Sequence, residues 1–119
     1  MNKVDFLISH GVEAQTAIDN MMGIDIYDEM LNDYFEALPN DFQTLIGYKN
    51  AGDMPNYAIL VHAMKSNARS FGFMNLGEIA YEHEMKSKEN DVNFVNSDFN
   101  RLQNEVQNVI NIITEYKNM

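Results

Sequence analysis

The C-terminal segment carries the most regular pattern in the chain, and this pattern constrains the fold more than any other feature. Its apolar residues alternate steps of four and three positions: Val95, Phe99, Leu102, Val106, Val109, Ile113 and Tyr116. Such spacing places all of them on one face of an α-helix, whose start Asp91 or Asn93 is expected to cap. A long helix must bury an apolar face against other elements, so the pattern predicts a helical domain.

A second apolar stripe lies upstream and predicts another long helix. Its members are Tyr27, Met30, Leu31, Tyr34, Leu38, Phe42, Leu45 and Ile46. Met30 and Met64 are both interpreted as core packing. Pro39 falls within the stripe and is expected either to kink this helix or to begin a new one. Gly52 and Asp53 then form a turn.

Two shorter helices are expected between these long segments, and a third at the N-terminus. One runs from about Pro55 to Phe71, since proline suits a first helical turn and Gly72 suits the position after a helix end. The next begins near Asn75, the candidate N-cap, and ends near Lys88. A short helix over about residues 12–22 covers one end.

The predicted connections are a few residues long, so neighbouring helices should be antiparallel. No segment alternates apolar and polar residues for long enough to indicate a strand. The fold expected is therefore all-α, an antiparallel up-down-up-down four-helix bundle with a short extra N-terminal helix. A chain of 119 residues suits one domain over 1–119, with the core bundle at about 24–117.

Composition excludes several classes of function. The chain has 8 Lys and Arg against 18 Asp and Glu, a net charge of −10, which disfavours nucleic acid and anionic membranes as partners. It contains no cysteine, so disulfides and thiolate sites are excluded. No apolar run approaches the roughly 20 residues that span a bilayer, and the N-terminus lacks signal-peptide features. We therefore expect no membrane insertion and a cytoplasmic location.

His62 is the candidate reactive residue. On a helical wheel it lies about 160° from Met64, away from the apolar face, and Lys65 and Arg69 share its side. Between Met54 and Gly77 the chain has no acidic residue, so this face is expected to attract anions. An exposed imidazole is mostly neutral at pH 7 and is available as a nucleophile toward a phosphoryl group.

The stretch from Val61 to Gly72, VHAMKSNARSFG, resembles the signature of the histidine-containing phosphotransfer (HPt) domains of phosphorelays. Those domains carry a histidine, a lysine three residues on, a small residue next, and a glycine that ends the helix. The preceding turn, residues 51–57, is also similar. The resemblance covers the chain from about Gly11 to the final helix. Many members have glycine where this chain has Ser66, and a serine is small enough to be accommodated.

The resemblance implies that His62 is the phosphoacceptor and that Lys65 supports the charge of the phosphoryl group. Ser66 would be the small neighbour and Gly72 the helix terminator. Arg69 is a candidate from its helical position alone: it either supports the phosphoryl charge less closely than Lys65 or only contacts a partner or solvent. It also implies partners: response-regulator receiver domains and a sensor histidine kinase, either separate or within the same parent chain. The chain would be a phosphoryl carrier, not an enzyme with its own turnover. Magnesium would belong to the receiver, so no cofactor is expected here, and we expect a monomer.

Two other functions compete with that of a phosphoryl carrier. A non-catalytic helical module could dock a receiver or kinase domain without phosphotransfer. A di-iron bundle needs paired Glu-x-x-His motifs, but Leu7, Ile59 and Ala80 precede the three histidines by three positions. His83 shares the helical face of Ile79 and Ala80, so it is expected to be packed or to lie at the boundary of the core. His10 carries no functional signal.

Overall fold

Six helices form the protein in the computed structural model, which describes residues 2–119. They are α1 (Lys3–Ser9), α2 (Ala14–Asn20), α3 (Ile24–Ala51), α4 (Met54–Ser70), α5 (Met74–Lys88) and α6 (Val92–Lys117). The longest dimension of the molecule is 43 Å. This agrees with the roughly 42 Å expected for the 28 residues of α3 at 1.5 Å each.

The four helices α3 to α6 form an all-α bundle in which each helix packs against two others. α4 lies between α3 and α5, and α6 packs against α5 and α3. The connections between successive helices are two or three residues long, so the chain runs up and down the bundle. The predicted fold class is confirmed. None of the helices described over residues 2–119 combines the length and apolarity that crossing a bilayer requires.

The periodic stripes of the sequence form the core of this bundle. All seven residues of the α6 stripe are buried, and Asp91 caps the helix because its carboxylate accepts a hydrogen bond from the backbone N–H of Phe94 at 3.0 Å. The hydroxyl of Tyr27 donates to the backbone carbonyl of Phe71 at 2.9 Å. This bond ties the start of α3 to the end of α4.

Some details of the secondary structure differ from prediction. α3 continues through Pro39, which does not begin a new helix. Its missing N–H costs one hydrogen bond, whereas Leu38 and Phe42 on either side are both buried and hold the helix against the core. Asn75 is not an N-cap: α5 begins at Met74 after Phe73, and Asn75 lies exposed in its first turn.

The N-terminal region and one methionine also differ. Two short helices, α1 and α2, precede the bundle instead of one. α1 was missed because it buries only Leu7 and so shows no apolar period, whereas α2, of the same length, buries Ala14, Ala17 and Ile18. Asn2 caps α1 by accepting from the N–H of Asp5 at 2.8 Å, and Leu7 anchors it in the core. Met30 is 46% exposed and is not a core residue, whereas Met64 is buried as predicted.

Candidate functional site

His62 projects from the middle of α4 on the side that faces α5. Its side chain is 56% exposed, whereas Val61 and Met64 beside it are buried in the core. The apolar residues of α4 therefore fix the rotation of the helix, and this rotation presents the imidazole to solvent. The sequence-based expectation that His62 lies off the core face is confirmed.

Glu84 from α5 meets this imidazole, and sequence reasoning did not identify it. Its side chain is only 3% exposed, and its Oε2 lies 2.7 Å from Nδ1 of His62. Its other oxygen, Oε1, accepts a hydrogen bond from Nζ of Lys65 at 2.6 Å. Lys88, one turn further along α5, donates to Oε2 at 2.9 Å. One buried carboxylate thus holds the imidazole and two ammonium groups together.

These contacts set the ionisation of the carboxylate. Burial by itself would raise the pKa of Glu84, but the hydrogen bonds from Lys65, Lys88 and His62 together lower that pKa to about 2. Glu84 is therefore ionised at neutral pH and can only accept hydrogen bonds. The carboxylate therefore needs a donor at Nδ1 of His62. A neutral imidazole that carries its proton on Nδ1 keeps the lone pair of its other nitrogen, Nε2.

The cationic face predicted around His62 is partly neutralised by acidic residues of α5. Lys65 is only 14% exposed and pairs with Glu84, and Arg69 pairs with Glu78 at 3.3 Å. The two cations also lie over the ring of Tyr81, at 5.6 and 5.7 Å from its centroid. Residues 54–77 contain no acidic residue, but the helix packed against them supplies Glu78 and Glu84, so the predicted cationic face has carboxylates beside its cations.

The structure brings Lys65 to the imidazole but directs Arg69 elsewhere. Nζ of Lys65 lies 3.4 Å from Nδ1 of His62. Arg69 extends across Gly77 of α5, where an added Cβ would lie only 2.8 Å from its Cγ. Ser66 is exposed one turn after His62. Its small side chain leaves room beside the imidazole for a partner.

Gly72 ends α4, as the sequence predicts, and it also makes a close contact. Its φ is +92°, a conformation that glycine adopts without a steric penalty. An added Cβ would lie 2.6 Å from the backbone oxygen of Glu13, whose N–H donates to the carbonyl of Gly72 at 2.9 Å. The glycine therefore lets the segment before α2 pack on the end of α4.

An open apolar groove of about 680 Å³ lies directly beside the imidazole. Residues of the first half of α4 and the end of α5 line it, including Met54, Pro55, Ala58 and Ile59. Ile59, one turn before His62, is 69% exposed. Together with the groove, this side chain forms a contiguous exposed apolar surface, a feature that marks interaction sites.

His83 is fully buried, as expected for a packed histidine. Its Nδ1 lies 2.8 Å from the hydroxyl of Tyr57, and its Nε2 lies 3.0 Å from a carboxylate oxygen of Asp98. Arg101 binds the same carboxylate and also reaches Glu82. Burial lowers the pKa of His83 more than Asp98 raises it. This network ties α4, α5 and α6 together around a histidine ring that is closed off from solvent.

Comparison with known protein families gives one finding that agrees with this geometry. The model of the Hpt domain matches residues 29–112, from α3 to α6, and therefore includes His62 and Glu84. Comparison with curated proteins and with solved structures gives no match. Hpt domains are phosphocarrier modules without catalytic activity of their own, and they interact with receiver domains and kinases. Since the match covers most of the sequence, the chain belongs to the Hpt domain family.

Proposed function

We propose that this Hpt domain accepts a phosphoryl group on Nε2 of His62 and transfers it onward. The donor would be the aspartyl phosphate of a receiver domain and the acceptor a second receiver domain. The observation that carries the proposal is the exposed imidazole whose Nδ1 is bound, at 2.7 Å, by the buried carboxylate of Glu84.

The transfer follows from this hydrogen bond. The lone pair of Nε2 attacks phosphorus in line, a P–N bond forms, and the P–O bond to the receiver's aspartate breaks with its electron pair leaving on the carboxylate. The ring becomes cationic because Nδ1 keeps its proton. Glu84 is ionised and accepts a hydrogen bond from that N–H, so it stabilises the positive charge as it develops. In the reverse steps, the aspartate of a second receiver attacks phosphorus, the P–N bond breaks, and the electron pair returns to Nε2.

The two lysines would balance the charge added with the phosphoryl group. In the unphosphorylated protein, Lys65 and Lys88 both bind Glu84. A phosphoryl group on the neighbouring ring offers oxygens to which either ammonium could turn. Lys65 is the closer of the two to the imidazole, so we assign it the main supporting role. No metal ion of its own is required, since magnesium would be supplied by the receiver.

The groove beside His62 is proposed as part of the receiver-docking surface. Ile59 and Pro55 would contact an apolar patch of the receiver and exclude water from the transferring phosphoryl group. A sensor kinase could also phosphorylate His62 directly, because it would reach the exposed imidazole from the same side as a receiver domain. The proposed cytoplasmic location fits these partners.

Phosphoryl transfer from a magnesium-loaded, phosphorylated receiver domain tests the proposal. The wild type, His62→Gln and His10→Gln would be compared by intact mass before and after acid treatment. His10→Gln is the matched control, since His10 is exposed and follows the last residue of α1, outside the site. We expect acid-labile, alkali-stable phosphate on the wild type and on His10→Gln, and none on His62→Gln.

The same experiment separates a carrier from an interaction module. Phosphate that persists on His62→Gln would assign the reaction to another residue. If the wild type binds several phosphorylated receivers but takes phosphate from none, the protein is a docking module without phosphotransfer.

A further inference from the structure

Three consecutive residues of α5 are held by polar contacts from the two helices beside it. Glu82 accepts a hydrogen bond from Arg101 of α6, and Glu84 binds His62 of α4. Between them, His83 contacts both α4 and α6 through its two ring nitrogens. Glu84 belongs to the site around His62, whereas His83 is fully buried beside it and has so far been given no role in the transfer.

The two hydrogen bonds of His83 have a defined direction. Burial by itself would raise the pKa of Asp98, but the hydrogen bonds from Arg101 and His83 lower that pKa, so this carboxylate is ionised and only accepts. Nε2–H of His83 therefore donates to Asp98 at 3.0 Å. Nδ1 then carries the lone pair of the neutral ring and accepts from the hydroxyl of Tyr57 at 2.8 Å. One ring thus bonds α5 to α4 on one side and to α6 on the other.

These two bonds resist a displacement of α5 along its axis. A shift by one residue moves the ring by about 1.5 Å, which would leave the buried hydroxyl of Tyr57 and the ring nitrogens of His83 without partners. The apolar contacts of Leu76 and Ala80 on the same helix have no preferred direction, so they resist such a shift less. A buried polar contact of this kind is the best-attested device for fixing the register of packed helices.

We infer that His83 is a positioning residue for phosphoryl transfer: its hydrogen bonds hold α5 at the axial position and rotation at which Glu84 reaches Nδ1 of His62. Because His83 and Glu84 are consecutive on one helix, fixing the backbone of the first also fixes the second. A shift of about 1.5 Å would break the contact of 2.7 Å between Glu84 and His62. This inference rests on the proposed function of His62 and adds the residue that places its carboxylate partner.

Two variants remove these bonds while keeping apolar bulk in the core. Tyr57→Phe deletes only the hydroxyl. Tyr57→Phe/His83→Leu replaces both partners with apolar side chains, which costs less stability than leaving one buried partner unpaired. The matched control is Tyr27→Phe. Tyr27 is also fully buried and its hydroxyl also donates a hydrogen bond, but it lies on α3 and bonds to the end of α4.

Two measurements on the full chain test the inference. Nitrogen-15 NMR gives the fraction of neutral His62 that carries its proton on Nδ1, which reports the contact with Glu84 without a receiver. We expect this fraction to fall in both variants and to stay unchanged in Tyr27→Phe. Single-turnover transfer at saturating receiver should slow about threefold in Tyr57→Phe and about tenfold in the double variant, with the Kd for the receiver unchanged.

A third comparison shows whether His83 acts through Glu84. In a Glu84→Gln background, adding Tyr57→Phe/His83→Leu should slow transfer by less than about twofold, because the carboxylate that it would displace is already gone. Rate effects that multiply would overturn the inference. It is also overturned if the Nδ1–H fraction of both variants equals that of the wild type, or if Tyr27→Phe lowers that fraction as much.

Thermal unfolding establishes that each variant is folded, and Tyr57→Phe alone decides the matter if the double variant is not. The two proposals fail separately. A wild type that takes no phosphate overturns the proposed function, whereas the Nδ1–H fraction still decides whether His83 places Glu84 against His62.

Discussion

Nδ1 of His62 and Oε2 of Glu84 lie 2.7 Å apart across the contact between α4 and α5. The carboxylate is buried and the imidazole is exposed, so one helix orients a group that the other presents to solvent. In the proposed chemistry, the imidazole of His62 would react and the carboxylate of Glu84 would orient it. The chemistry proposed for the protein can be tested at each of the two residues.

Glu84→Gln should slow phosphoryl transfer without abolishing it. Glutamine can still accept the Nδ1–H bond but carries no charge to stabilise the cationic ring, a difference of about 1.4 kcal/mol or roughly tenfold in rate. Single-turnover transfer from a phosphorylated receiver measures the effect. Glu89→Gln is the control, since Glu89 is exposed at the end of α5 and pairs with Lys86 instead of with the residues around His62. An equal loss in both variants would show that Glu84 has no specific role.

Lys65 and Lys88 should contribute unequally to the rate of phosphoryl transfer. Lys65 is 14% exposed and lies 3.4 Å from the imidazole, whereas Lys88 is 56% exposed. We expect Lys65→Met to slow transfer roughly tenfold, and Lys88→Met about twofold because an exposed ion pair contributes little. The decay of phosphohistidine and the transfer rate would be followed for both variants. A larger effect of Lys88→Met would reverse the assignment of the supporting cation.

Gly72→Ala should destabilise the fold. The substitution forces a Cβ onto a residue with φ of +92° and brings it 2.6 Å from the backbone oxygen of Glu13. We expect a loss of about 2 kcal/mol in the free energy of unfolding and a decrease of about 8 °C in Tm. In contrast, Gly47→Ala should be neutral or stabilising, because Gly47 lies within α3 and its Cβ would meet open space. Equal Tm values for the two variants would contradict the close contact at Gly72.

Stability should fall as the pH is lowered from 7.5 to 5.5, and His83 should be one cause. Burial lowers the pKa of His83 below its ordinary value of 6.5, so the unfolded chain binds the proton more readily than the folded protein. The stability that the neutral ring contributes is complete above pH 6.5 and is lost as the pH falls toward the folded-state pKa. Urea unfolding at several pH values measures the slope.

His83→Gln removes this titration, and its stability should therefore change less over the same pH interval. The carboxyls of Glu84 and Asp98 do not contribute there, because their pKa values are lowered and they titrate at more acidic pH. An identical slope in the wild type and His83→Gln would show that the buried histidine is not linked to unfolding.

Much of the fold was predictable because it depends on local patterns. The stripe of α6 predicted a buried helical face, and Gly72 predicted the end of α4, since each signal lies within a few residues of the feature that it specifies. His62 was also predictable, because its position on the helical wheel indicated that it lies outside the core. The wheel was less informative for Met30, which lies at the edge of its stripe and is exposed.

The amino-acid sequence by itself determined an all-helical bundle and a histidine presented from one of its helices, because helix period and capping are properties of neighbouring residues. Only the tertiary structure decided what that histidine touches. Glu84 is 22 positions away from His62, and the two side chains meet because of the rotation and axial offset at which α5 packs on α4. No periodic pattern in either helix encodes that offset. It follows from how the side chains of all four helices fill a common core.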